Sequence, residues 1–123
     1  MRLLLDTHAV MWLALDRKRI SRPVFAALAE AEAVFVSIIS AWEYGIKRSR
    51  AAAGFEAPFA MLIEGIPATP LGLDYEVSRY ADSLPLIHRD PFDRMLIAQA
   101  MHHGLTLITA DKAMRAYPVP TLW

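Results

Sequence analysis

Apolar and polar positions follow one another along the chain in blocks that predict strands and helices in turn. An apolar run at residues 2–5 stops at Asp6, and residues 7–16 then show helical spacing. The run AVFVSII at 33–39 is apolar and β-branched, which is typical of a strand buried on both faces. Shorter runs predict further strands at 68–72, 105–109 and 119–123.

Start and stop signals separate the helices from these strands. Ser40 and Glu43 form a capping-box pattern, which predicts a helix beginning at Ser40. A helix after Asp90-Pro91 is predicted to stop at Gly104. The other predicted helices cover residues 7–16, 23–31, 54–65 (interrupted by Pro58), 74–83 and 110–117. This alternation predicts an α/β fold with helices on both faces of a parallel sheet, in one domain spanning residues 1–123.

The bulk composition excludes several classes of protein. Hydrophobic residues make up 55% of the chain, which is ample for a core. Thirteen Lys and Arg balance thirteen Asp and Glu, so net charge predicts neither a strong nucleic-acid binder nor an acidic protein, and the local distribution of charge must decide. The absence of Cys excludes disulfides and thiolate metal sites. No apolar run approaches the roughly 18 residues of a membrane helix. No signal peptide is predicted, because Asp6 and His8 interrupt the apolar segment near the N-terminus. A soluble, cytoplasmic protein is expected.

Four acidic residues are predicted to meet at one edge of the sheet. In parallel α/β sheets, functional groups gather beyond the carboxyl ends of the strands. Asp6 ends the first strand and Asp111 follows the strand at 105–109, while Glu43 and Asp93 lie in the first turns of predicted helices. No obvious strand leads into the Asp93 helix, so its placement is less direct.

Two of these acids have apolar surroundings in which a lone carboxylate is costly. Asp6 is flanked by apolar runs, and Asp93 shares a helical stripe with Leu96, Ile97 and Ala100. An unpaired buried carboxylate is strongly disfavoured or becomes protonated, and a helix N-terminus offsets only about 0.3–1 kcal/mol. Converging carboxylates also repel one another, so their convergence favours a bound cation.

Helix capping is the alternative explanation for three of the four acids. Glu43 would be the capping-box partner of Ser40, Asp111 would cap the following helix, and Asp93 would be the acid of the first turn. For each of these three acids considered alone, capping is the better explanation. Asp6 has no such obvious role, which favours a metal cluster when the four are considered together.

Mg²⁺ or Mn²⁺ is the cation that a set of carboxylate oxygens predicts. Such a centre can activate water and stabilise charge on a phosphoryl group. The histidines predict no zinc site. His102 and His103 are adjacent and are expected to point to different helix faces, while His8 and His88 lack partners at ligand spacing.

The segments LLLDTHAVMWL, VSIISAWEYGIK, HRDPFDRMLIAQA and LTLITAD, in this order and spacing, resemble PIN-domain proteins of the VapC-type toxin group. The resemblance implies a PIN-like three-layer α/β/α sandwich with a central parallel sheet and an acidic Mg²⁺ site. It also implies an endoribonuclease that acts as the toxin of a toxin–antitoxin pair and is held inactive by a cognate antitoxin protein.

The resemblance also implies which residues form the site. The family's catalytic and metal-binding acids fall on Asp6, Glu43, Asp93 and Asp111. Polar neighbours expected to support them are Thr7, Ser37, Asp90 and Thr109. Asp90 is interpreted first as a helix cap and second as a group that supports the ligands.

Contacts with RNA are expected from basic residues, although a solvated helix end explains each basic cluster equally well. These residues are Arg17, Lys18, Arg19, Lys47, Arg48, Arg94 and Lys112. Aromatic side chains can stack on bases, but packing is the better explanation for Trp12, Trp42, Phe92 and Trp123. The high apolar content suits a homodimer and a groove for an antitoxin helix.

Two other functions stay open. A Mg²⁺-dependent phosphatase on a similar sheet is disfavoured, because no second acid stands two residues after Asp6. A module without catalytic activity that binds RNA or a protein partner, and uses the acids to hold a structural metal, is compatible with the sequence.

Overall fold

A five-stranded, all-parallel sheet forms the centre of the computed structural model, which describes residues 1–123. The strands lie in the order β3-β2-β1-β4-β5. Their bounds are β1 Arg2–Leu5, β2 Ala33–Ser37, β3 Thr69–Leu71, β4 Thr106–Ile108 and β5 Thr121–Leu122. Because β1 is the middle strand, Asp6 directly after it stands at the centre of the carboxyl edge.

Six helices cover the two faces of the sheet. They are α1 Thr7–Leu15, α2 Arg22–Glu30, α3 Ile38–Ser49, α4 Phe59–Glu64, α5 Val77–Ser83 and α6 Pro91–His103, with short 3₁₀ turns at Arg17–Arg19 and Met114–Ala116. None of these helices is both long and apolar enough to cross a membrane. The predicted three-layer α/β/α sandwich with a central parallel sheet is confirmed.

The central strand β1 is buried on both faces. Leu3 and Leu5 pack with Val10 in one hydrophobic cluster, whereas Leu4 packs with Ile97 in the other. All three leucines have no exposed surface. Successive strand side chains point to opposite faces, so an unbroken apolar run is what a strand between two helix layers requires.

Helix α3 begins earlier than predicted. The strand β2 ends at Ser37, whose Oγ accepts a hydrogen bond from Ile39 N at 3.0 Å and so caps the helix. The predicted cap, Ser40, lies inside α3. The capping-box interpretation of Glu43 is therefore wrong, because Glu43 lies beyond the first turn. Ile38 and Ile39 continue the apolar run of β2, which hid the change from strand to helix.

Two other helices are shorter than predicted. Pro58 is the N-cap of α4, so the helix expected at 54–65 covers only Phe59–Glu64. The helix expected at 110–117 is a 3₁₀ turn at Met114–Ala116.

Gly104 is required where α6 ends. Its φ of 65° lies in the left-handed region, where a Cβ costs about 1 kcal/mol. We expect Gly104→Ala to lower the free energy of unfolding by about 1 kcal/mol, measured by urea denaturation. The matched control is Gly45→Ala, inside α3 with open space around its Cβ position, which should raise it by about 0.5–1 kcal/mol. The same sign of effect in both variants would contradict this assignment.

Candidate active site

The structure brings Asp6, Glu43, Asp93 and Asp111 together at the carboxyl edge of the sheet. Asp6 follows β1, Glu43 is on α3 after β2, and Asp111 follows β4. The N-terminus of α6 reaches the same edge and carries Asp93 in its first turn. The charges of Glu43 and Asp6 raise the pKa of Asp93, and the charge of Asp111 raises the pKa of Asp6. The four carboxylates therefore share one electrostatic environment.

Asp6 has a capping role that the sequence did not reveal. Its Oδ1 accepts a hydrogen bond from Ala9 N at 2.7 Å and so begins α1. Capping alone does not explain why Asp6 is buried, with only 5% of the residue exposed. Burial raises the pKa of Asp6, whereas hydrogen bonds from Thr109 and Ala9 lower it. Asp6 is thus both a helix cap and a buried acid.

Both oxygens of Glu43 are held by neighbouring side chains. Thr7 Oγ1 donates to Glu43 Oε1 at 2.6 Å, and the same hydroxyl lies 3.0 Å from Ser40 Oγ. Lys47 Nζ donates to Glu43 Oε2 at 3.3 Å. Thr7 therefore contacts Glu43 directly, and Ser40, expected to be a cap, belongs to the same buried network.

His88 lies between Asp93 and Asp111. Its Nε2 is 2.9 Å from Asp93 Oδ2 and 3.2 Å from Asp111 Oδ2. These three ligand atoms lie within 4.8 Å of one another, close enough to share one metal ion. The expectation that His88 lacks partners at ligand spacing is wrong. Its position two residues before the Asp90 cap, at the predicted edge, was a signal that could have found it.

The surroundings of Asp93 carry an excess of negative charge. Burial, then the charges of Asp90, Glu43 and Asp6, raise the pKa of Asp93 to about 7, although His88 lowers it. A carboxyl group with so high a pKa accepts either a proton or a cation at neutral pH. The donor set of carboxylate oxygens and one imidazole therefore fits Mg²⁺ or Mn²⁺.

Three further predicted residues accept hydrogen bonds from backbone N–H groups. Asp90 caps α6 as predicted, with Oδ1 accepting from Phe92 N at 2.8 Å and Asp93 N at 3.2 Å. Ser37 caps α3, so its hydroxyl is directed at Ile39 N and not at the acids. Thr109 Oγ1 accepts from Asp111 N at 3.1 Å and holds the turn that carries Asp111.

Arg94 is used inside the protein, and its expected contact with RNA stays a prediction. Nη1 donates to Pro85 O and Tyr117 Oη, and Nη2 donates to Ala81 O and Leu84 O. The hydroxyl of Tyr117 also accepts from His88 N at 2.7 Å. Arg94 therefore fixes the loop that positions His88.

The other basic residues differ in whether their side chains have partners in the protein. Lys18 and Lys112 are exposed. The remaining four have partners in the protein: Arg17 donates to Leu13 O, Arg19 pairs with Asp16, Lys47 pairs with Glu43 and Arg48 donates to Glu56 O.

A shallow depression of about 290 Å³ opens beside the acids. It is lined by Asp6, His8, Trp12, Ala110 and Asp111. The Trp12 ring packs against His8 at 5.5 Å between ring centroids. The site therefore has an aromatic wall next to two of its acids.

The sequence matches the PIN domain over residues 3–120. This chain belongs to the PIN-domain family. It is 30% identical over 128 residues to Ribonuclease VapC22 of Mycobacterium tuberculosis (strain ATCC 25618 / H37Rv), covering 98% of this chain and 97% of the relative.

Solved structures with the same PIN fold have low sequence identity to the chain. VapBC2 from Rickettsia felis, bound to a promoter DNA fragment, superposes with a TM-score of 0.73 at 12% identity, covering 99% of this chain and 98% of that one. Mycobacterium tuberculosis VapC20, described as a sarcin-ricin loop cleaving toxin, gives 0.60 at 15% identity and 93% coverage of both.

Asp93→Asn should stabilise the metal-free protein at pH 8. The pKa of Asp93 is about 7 in the fold and about 3.9 in an unfolded chain. The native state binds more protons across that interval, so stability falls as pH rises from about 4 to about 7. The Asp93→Asn variant carries no charge at this position and escapes this loss. Its free energy of unfolding should exceed that of the parent by roughly 1–3 kcal/mol above pH 7 and should equal it at pH 4.

Urea denaturation in EDTA at pH 4, 6 and 8 measures this gain. The exposed Asp82→Asn variant on α5 is the control, for which no pH-dependent gain is expected. A gain of equal size at pH 4 and pH 8 would show that repulsion at Asp93 is not its cause.

Proposed function

We propose that this PIN-domain protein is a Mg²⁺-dependent endoribonuclease that hydrolyses RNA phosphodiester bonds. One observation carries the proposal: four carboxylates converge at the centre of the sheet edge, where burial and then the charges of Asp90, Glu43 and Asp6 raise the pKa of Asp93 to about 7. The name of the relative Ribonuclease VapC22 supports the same class of reaction.

Asp6, Asp93 and Asp111 would hold Mg²⁺ or Mn²⁺, with Glu43 as a further ligand or as the group that orients the attacking water. A metal bound there supplies an activated water and offsets charge developing on the phosphoryl group.

The chain's own residues set the geometry of these acids. Thr7 and Lys47 hold the two oxygens of Glu43 at 2.6 and 3.3 Å. Asp90 caps α6 and so fixes the turn that carries Asp93. His88 would either hydrogen-bond to Asp93 or Asp111 or supply a nitrogen ligand to the metal. Preorganised groups of this kind need no rearrangement when the substrate arrives.

The substrate side of the site is the depression beside Asp6 and Asp111. Exposed His8 and half-buried Trp12 form its wall, where a base of single-stranded RNA can stack. Lys18 and Lys112 remain free for phosphate contacts, since both are exposed.

We propose that this ribonuclease is a toxin controlled by a cognate antitoxin. The structural relatives include VapBC assemblies and a Klebsiella pneumoniae toxin–antitoxin complex. An apolar groove of about 420 Å³ between α3 and α4 suits one face of an antitoxin helix. Its apolar lining includes Val36, Ile38, Ala41, Phe59, Ile63 and Leu71.

A homodimer acting in the cytoplasm completes the proposal, with residues 1–123 working as one PIN domain. Ile38, Trp42 and Leu73 are exposed by 52%, 60% and 44% and line one apolar surface. Such a patch on a small protein favours association with a second copy.

Purified protein free of antitoxin should cut RNA when Mg²⁺ or Mn²⁺ is added and should not cut it in EDTA. Asp93→Asn should reduce cleavage by at least about 100-fold, because it removes a charge from the metal site. Asp90→Asn is the matched control: asparagine caps a helix about as well as aspartate, so activity should fall by no more than a few-fold. Cleavage of a labelled RNA, resolved on a gel, measures both.

Three outcomes would contradict parts of this account. If the parent cuts no RNA with either metal, the nuclease proposal fails. If Asp90→Asn abolishes cleavage and Asp93→Asn does not, the assignment of the ligands is wrong. If the parent cuts RNA but its expression does not arrest growth, or a neighbouring small gene does not relieve the arrest, only the toxin proposal is overturned.

A further inference from the structure

A second cluster of metal-ligating side chains lies at the far end of α6. His102 and His103 are the last two residues of this helix, and Asp74 follows β3. The Nε2 atoms of His102 and His103 lie 3.7 and 3.5 Å from Asp74 Oδ2. All three ligand atoms are within 4.8 Å of one another. Ten helical residues separate Asp93 from His103, so the cluster is about 15 Å along α6 from the acids.

The convergence of the two histidines corrects an expectation. Adjacent helical residues were expected to point to different faces, yet both Nε2 atoms face the same carboxylate oxygen. The rings are 4.7 Å apart at 73°, and His102 also packs edge-on against Tyr80 at 5.5 Å. Arg2 Nη1 donates to His103 O at 3.2 Å, which fixes the end of the helix.

The distances suit a metal better than hydrogen bonds. An imidazole–carboxylate hydrogen bond is about 2.7–3.0 Å long. Zinc binds His nitrogen and carboxylate oxygen at about 2.0–2.2 Å, so neighbouring ligand atoms of a tetrahedral site are about 3.3–3.5 Å apart. The separations of 3.5 and 3.7 Å are closer to that edge length than to the length of a hydrogen bond.

Unpartnered polar atoms give an independent sign of a ligand at this place. His103 Nε2 and Gln99 Oε1 are the two buried side-chain polar atoms in the chain that have no hydrogen-bond partner. Gln99 lies one helical turn before His103, and its Nε2 donates at 2.9 Å to Gly72 O, two residues before Asp74. Buried polar atoms without partners are rare. Two such atoms near the same end of one helix therefore indicate that a bound group is missing there.

We propose that Asp74, His102 and His103 bind a transition-metal ion of the Zn²⁺ class, at a site separate from the carboxylate centre. Two imidazoles select Zn²⁺, Co²⁺ or Ni²⁺ over Mg²⁺, which prefers oxygen ligands. The three protein ligands leave a fourth position for water. The ion ties the loop after β3 to the end of α6, and so joins the edge of the sheet to the helix that carries Asp93.

Zn²⁺ titration of the full-length protein, followed by NMR of the histidine ring nitrogens, tests the proposal. We expect the Nε2 signals of His102 and His103 to shift together with a dissociation constant in the micromolar range, and millimolar Mg²⁺ to leave them unmoved. Asp74→Asn should weaken this response at least tenfold. Its side chain is 59% exposed, so the substitution should not disturb folding, and an unchanged amide spectrum verifies that.

Two control variants separate this site from the others. Asp82→Asn, an exposed acid on α5, should leave the response intact. Asp93→Asn should also leave it intact, even though it alters the carboxylate centre. If Zn²⁺ shifts His88 alone, or if Asp74→Asn binds as tightly as the parent, the cluster is only an ion pair at a helix C-terminus and the proposal is overturned.

Discussion

Repulsion among buried carboxylates is the constraint on which this structure depends. The fold places Asp6 and Glu43 at 5% and 4% exposure and brings Asp93 and Asp111 beside them. Within the chain, Lys47 pairs with Glu43, and the His88 ring lies 2.9 Å from Asp93. Burial and repulsion leave Asp93 with a pKa of about 7, so the site is poised to take up positive charge. A site tuned in this way is destabilising in a metal-free protein and useful in a metal-dependent enzyme.

The rest of the molecule holds these charges in place. The parallel sheet directs Asp6, Glu43 and Asp111 to one edge, because β1, β2 and β4 are neighbours. Asp93 arrives on α6, which follows a loop and not a strand. That loop is fixed by Arg94 and Tyr117, whose hydrogen bonds also set the backbone of His88. The apolar stripe of α6 then packs against the sheet through Leu96 and Ile97, both fully buried.

Much of this arrangement was predictable from the sequence, because it rests on local patterns. The apolar strand runs and the Asp90-Pro91 start of α6 are short-range signals, and the topology of a parallel sheet places Asp6, Glu43 and Asp111. The errors arose where several residues far apart in the chain act together. His88 meets Asp93 and Asp111, and His102 and His103 converge on Asp74 through tertiary contacts. No spacing rule along the chain reports such contacts.

Asp93 carries a raised pKa because it is buried and faces other carboxylates, and we expect a divalent cation to relieve this. A ¹³C NMR titration of the Asp93 carboxyl group tests it most directly. The account predicts a pKa near 7 in EDTA and a fall of more than one unit when Mg²⁺ or Mn²⁺ is added. A pKa near 4 in the metal-free protein, or one that the metal does not change, would contradict it.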